Sequence, residues 1–105
     1  MIVDPHVAVA GLLVYYLKAA IPSLESNGHF GSARAVLEEL PKLKPRLVII
    51  ELSLGDGLGL SVLRQLRAKL SNTAWLLFTG NPRIGIQDAI KLGVQGCVSK
   101  SASLP

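Results

Sequence analysis

Two stretches of this chain carry uninterrupted apolar residues, Leu47-Val48-Ile49-Ile50 and Trp75-Leu76-Leu77-Phe78. Neither alternates with polar residues, so neither suits a strand with one wet face. Runs of this kind belong to strands covered on both sides, as in parallel sheets. Parallel neighbours need a crossover connection, and the segment between the runs supplies one. Gly55, Gly57 and Gly59 read as a loop, and Leu60 to Leu70 has helical period, with Leu60, Leu63, Leu66 and Leu70 apolar against Arg64, Arg67 and Lys69.

The same order recurs on either side. Met1-Ile2-Val3 is a short apolar start closed by Asp4-Pro5, and Val7 to Ala20 reads as a mostly buried helix that serves the core and stops at Ile21-Pro22. Ser32 is placed to cap a helix over Ala33 to Leu40, with Ala33, Val36, Leu37 and Leu40 on one face. Lys44-Pro45 closes that region, because the residue before proline avoids helical angles. After the second run, Thr79-Gly80-Asn81-Pro82 breaks the strand, a helix continues to Leu92, and Gly93 caps it. Gly96 to Ser99 reads as a last short strand. A second strand belongs between Ser23 and Phe30, where the pattern is weakest.

Composition narrows the class. The 105 residues are 50 % hydrophobic and 17 % charged, and mean hydropathy is +0.44, which excludes disorder and suits one domain over 1–105. A single cysteine, Cys97, excludes an internal disulfide and fits a reducing cytosol. With two histidines besides, no structural zinc site is expected. The longest apolar run, Val7 to Leu17, falls short of the roughly 20 residues that cross a bilayer, and no Lys or Arg precedes it as in a signal peptide. The expectation is a cytoplasmic chain with no membrane partner. Residues 1–52 hold five basic and five acidic side chains, and 53–105 hold six against two, so the net charge of +4 lies wholly in the second half. No Arg/Lys run or interleaved aromatic series accompanies it, and direct DNA binding by this domain is not expected.

Strands alternating with helices give βαβ units, hence a parallel sheet with helices on both faces. Ligands of such sheets bind beyond the carboxyl ends of the strands. Asp4, Glu51, Thr79 and Lys100 each follow a strand, so two carboxylates, a hydroxyl and an ammonium should meet at one edge. Lys100, closing an apolar strand, needs a partner there. Cys97 within its strand is expected to be a small, inert core residue, His6 and His29 ordinary surface or turn residues, and Asp56 a turn former.

With these residues in view, the chain resembles the receiver domains of two-component response regulators. Ile2-Val3-Asp4-Pro5-His6 resembles the acidic opening of that family, and Lys44 to Leu54 its phosphorylation-site strand. Leu77-Phe78-Thr79-Gly80 is similar to the hydroxyl-bearing strand, and Gly93 to Ser103 to the lysine-bearing one. The wording around Lys100 is closest to receivers that precede a helix-turn-helix DNA-binding domain. The resemblance implies a flavodoxin-like, doubly wound, five-stranded parallel sheet of order 2-1-3-4-5. It implies an aspartate that takes a phosphoryl group from a histidine kinase, two acidic residues that hold Mg²⁺, and a hydroxyl and a lysine that contact the phosphate. It also implies a closing helix, missing or truncated where the sequence reaches Pro105, and a dimer or output face on which Arg83, Asp88 and Lys91 would lie.

Three positions depart from that pattern. Glu51 stands in place of the phosphoacceptor, Pro5 in place of the second acid, and Cys97 where an aromatic is frequent. Mg²⁺ demands near-octahedral oxygen ligands at short distance, so it should bind weakly or not at all. The expectation is therefore a non-enzymatic pseudo-receiver, independent of phosphorylation, that self-associates and heads a transcription regulator. Glu51 could imitate a phosphoryl group or simply satisfy Lys100; the second reading is preferred, since a carboxylate carries less charge than a phosphoryl group. Two alternatives are a receiver phosphorylated on a different residue and a small α/β enzyme built on Asp4, Glu51, Thr79 and Lys100. The enzyme lacks a phosphate-cradling loop and a nucleophile–base pair.

Overall fold

The computed structural model describes residues 1–26, 28–54, 57–80 and 85–100. Asp56 and Arg83, and residues 101–105 where a closing helix was expected to begin, lie outside the described residues.

The main sheet is built from β1 (Ile2–Val3), β2 (His29–Phe30), β3 (Leu47–Ile50), β6 (Ala74–Thr79) and β7 (Gly96–Ser99), in the order β2-β1-β3-β6-β7 and parallel throughout. Counting only these five along the chain, the order is the expected 2-1-3-4-5. Each apolar run serves two cores at once. Val3, Val48, Ile50, Trp75 and Leu77 face one core, and Ile2, Ile49 and Phe78 the other. That division is why neither run alternates with polar residues.

Helix α1 (Val7–Ala20) lies on one face of the sheet through Ala10 and Leu13. Helices α2 (Ala33–Leu43), α3 (Gly59–Arg67) and α4 (Ile86–Lys91) cover the other through Val36, Leu40, Val62, Leu63, Leu66 and Ala89. The expected cap forms, with the Ala35 amide donating to Ser32 Oγ at 3.2 Å. α2 runs three residues beyond Leu40, to Leu43: Pro41 is accommodated inside its last turn, and Lys44 ends it in a left-handed conformation with φ 46°.

Three expectations are corrected. The glycine-rich segment is more than a loop: β4 (Ser53–Leu54) and β5 (Gly57–Leu58) pair antiparallel, and α3 begins at Gly59 itself. α1 is less buried than expected. It is the one helix on its face among the described residues, so Val7 at 71 % and Tyr15 at 69 % remain exposed. Cys97 is exposed rather than core, because β7 is an edge strand and α4, six residues long, leaves it uncovered.

Gly59 is the tightest joint between sheet and helix. Its amide donates to the Leu52 carbonyl at 2.6 Å, and a Cβ there would stand 2.9 Å from Leu52 Cα. A contact that short with backbone cannot relax by a rotamer change. Gly59→Ala should cost about 1–3 kcal/mol in urea denaturation, whereas Gly11→Ala, with open space around its Cβ, should cost nothing or stabilise α1.

Candidate functional site

Strand register decides which side chains meet. Val3 pairs with Ile50, and Ile50 with Leu77, so Asp4 and Glu51 leave their strands side by side. Thr79 pairs with Ser99, and the Lys100 amide donates to the Thr79 carbonyl at 2.8 Å, which turns Lys100 back toward the same edge. All four residues expected at the carboxyl edge are brought together.

Lys100 is the hub. Its Nζ lies 2.6 Å from Asp4 Oδ2 and 3.1 Å from Glu51 Oε1, with 15 % of the side chain exposed. Asp4 and Glu51 are 2 % and 5 % exposed. Charges this far from water require partners, and here one cation serves two anions. The Phe78 ring lies beneath the ammonium at 5.9 Å, within reach of a cation–π contribution.

Each carboxylate has further donors. The Leu52 amide donates to Glu51 Oε2 at 2.7 Å and the Gly80 amide to Oε1 at 3.2 Å, and the Thr79 hydroxyl also bonds this side chain. Burial opposes ionisation of Glu51, but these bonds and the Lys100 charge outweigh it and hold the carboxyl below its ordinary value of 4.5. Asp4 Oδ1 accepts from the His6 amide at 2.8 Å and lies 3.0 Å from His6 Nδ1. His29 reaches the Asp4 backbone carbonyl through Nε2.

Both histidines thus buttress Asp4, a role the sequence did not disclose for either. The signal for His6 was its place two residues after an aspartate, the spacing of an Asx turn. The two backbone donors of Glu51, on Leu52 and Gly80, leave no mark in residue type. Asp88 and Lys91 are exposed on α4.

Mg²⁺ at this edge would have to displace bonds that the acidic side chains already make. Both Asp4 oxygens and both Glu51 oxygens already accept bonds within the chain, Pro5 offers no side-chain oxygen, and among the described residues no group of three His, Cys, Asp or Glu could hold a metal.

A depressed carboxyl contributes stability that is complete above its unfolded value and is lost as pH falls through its folded one. Glu51→Gln should therefore cost about 1–3 kcal/mol at neutral pH, the range for hydrogen bonds to a charged group. In urea denaturation that difference should shrink steadily below pH 4.5.

Compared with protein families, residues 1–105 match the response regulator receiver domain. The chain is 32 % identical over 92 residues to the acid tolerance regulatory protein ActR of Sinorhizobium medicae, spanning 83 % of this chain and 47 % of ActR. It is 30 % identical over 100 residues to the DNA-binding transcriptional activator DevR/DosR of Mycobacterium tuberculosis, spanning 94 % of this chain and 46 % of that protein. The chain thus spans about half the length of the curated relatives it matches. A two-component response regulator of the LuxR family from an Aurantimonas species shares the fold, with a TM-score of 0.87 at 22 % identity over 98 % of this chain and 74 % of that one. A family match over the full sequence, agreeing with the strand order and with the carboxyl-edge cluster, means that the chain belongs to the receiver domains of two-component response regulators, a signalling family with transcriptional activators among its members.

Proposed function

We propose that this domain is a receiver that regulates output without phosphoryl transfer. The observation that carries this reading is the convergence of the Leu52 and Gly80 amides, the Thr79 hydroxyl and the Lys100 ammonium on the carboxylate of Glu51. These donors are the kind that would receive a phosphoryl group at this edge, and Glu51 occupies them as an internal anion. It is also one methylene longer than the aspartate it replaces, which moves its oxygens away from the point of attack. The cluster is a closed, mutually satisfied ion-pair network rather than a reactive site, and Mg²⁺ binds it weakly or not at all.

Such a domain has no catalytic role of its own. It acts by docking, as the N-terminal part of a longer cytoplasmic regulator with a DNA-binding output domain. Kinship with a DNA-binding transcriptional activator supports this, as does the absence, among the described residues, of any helix long and apolar enough to cross a membrane. Self-association is part of the reading: Leu12 and Tyr15 on α1, Ile90 on α4 beside Asp88 and Lys91, and Val98 on the edge strand all expose apolar surface.

Incubation with acetyl phosphate and Mg²⁺ should leave the intact mass unchanged, and a phosphoryl adduct on the wild-type chain would overturn the reading. Glu51→Asp combined with Pro5→Asp should accept the phosphoryl group, with Glu51→Asp alone accepting far less. In sedimentation velocity the weight-average mass should rise with concentration; a strict monomer throughout would remove self-association from the proposal.

A further inference from the structure

In a parallel sheet every return from helix to strand falls at the amino-terminal edge, so the connections into β3, β6 and β7 end side by side. Hydrogen bonds fasten them to one another. The Thr73 hydroxyl donates to the Pro45 carbonyl at 2.6 Å, and the Ala74 amide to the Arg46 carbonyl at 2.8 Å. The Gln95 amide donates to the Trp75 carbonyl at 2.9 Å, and Gln95 Oε1 accepts from the Trp75 amide at 2.7 Å. Neighbouring strands lie about 4.8 Å apart, so the three connections form one row about 10 Å wide.

That row carries one sign of charge. Residues 41–46, 67–73 and 91–95 hold Lys42, Lys44, Arg46, Arg67, Lys69 and Lys91, and neither Asp nor Glu. Lys42 pairs with Glu39 at 3.7 Å, and Arg67 is half-buried against Gly93. Lys44, Arg46, Lys69 and Lys91 are exposed and make no ion pair among the described residues. Counting Glu39, and Glu25 in the connection from α1 to β2, this end holds six such cations against two acids. Lys18 and the Met1 ammonium, which donates to the Leu47 carbonyl at 3.3 Å, add to the excess. Helix C-termini attract cations, but each carries about half an elementary charge, so three of them balance about one and a half of these.

The rest of the row decides which anion fits. It has no aromatic residue, and Leu43 is the exposed large hydrophobic in it. A protein partner wants an apolar or aromatic anchor, and a single nucleic-acid strand wants rings on which bases stack. Ser71, Asn72 and Gln95 stand exposed among the cations, and Lys, Arg, Ser, Asn and Gln are the side chains that hold duplex phosphates. The expectation against DNA contact rested on the absence of an Arg/Lys run along the chain. Here the cations come from three separate segments that only the fold assembles.

We propose that this amino-terminal edge binds the phosphate backbone of duplex DNA without reading its sequence. Its use in a regulator, as a second grip, rests on the DNA-binding output domain proposed above. The contact itself does not depend on that domain and is tested without it.

The test is an amide NMR titration of the whole chain with two short duplexes of unrelated sequence, followed by fluorescence anisotropy over a salt series. Saturable shifts should appear at Lys44, Arg46, Lys69 and Asn72 with either duplex. Three or four phosphate contacts give a slope of log affinity against log salt of about −3, so about fivefold more salt should weaken binding about a hundredfold. Arg46→Gln and Lys69→Gln, both at exposed positions, should each lower that slope by about one. Arg34→Gln removes the same net charge at the start of α2, on the other edge, and should leave the slope unchanged. The proposal is overturned if no saturable shift appears, if Arg34→Gln weakens binding as much as Arg46→Gln, or if one duplex binds far more tightly than the other. It is also overturned if a glutamate-rich peptide of equal charge binds in preference to the duplex, which would make the partner an acidic protein.

Discussion

Lys100 carries its charge into a place where 15 % of its side chain meets water, and it is held there by Asp4 at 2.6 Å and Glu51 at 3.1 Å. Three strands of the sheet depend on this contact at their carboxyl ends: β1 delivers Asp4, β3 delivers Glu51, and β7 delivers Lys100. Removing Lys100 would leave two carboxylates without a countercharge in a poorly hydrated position, a cost that reaches several kcal/mol when a buried pair is broken. The network therefore constrains strand register as much as it constrains function, because a shift of one residue would turn each of these side chains to the other face.

The same contact also settles the electrostatics of the edge. Two acidic groups crowded at one edge repel each other unless a cation lies between them. In a receiver that transfers phosphoryl groups, a divalent metal supplies part of that compensation. Here Lys100, His6 and the amides of Leu52 and Gly80 supply it from within the chain. Gly59 then fixes the backbone that presents Glu51, since its own amide bonds Leu52 and no larger residue fits there.

Part of the exposed apolar surface lies on the α1 side. Three helices cover one face of the sheet, and α1 covers the other among the described residues. The asymmetry leaves Val7 and Tyr15 in water.

Much of this was legible in the residues alone. Local chemistry along the chain determined the strands at Leu47–Ile50 and Trp75–Phe78, the second extended by one residue at each end in the fold, the helix from Val7 to Ala20 and the Ser32 cap, because backbone covering and turn formation leave a periodic or punctuated pattern in residue type. Asp4, Glu51, Thr79 and Lys100 were also predictable as neighbours, since each closes or follows a strand and parallel strands end at one edge. Only the tertiary structure decided the rest. His6 and His29 became supports of Asp4, and two backbone amides became donors to Glu51, because hydrogen-bond partners depend on register and not on residue type. Cys97 and half of α1 proved exposed, because burial depends on which element lies opposite, and nothing in an apolar side chain records whether a neighbour is there to cover it.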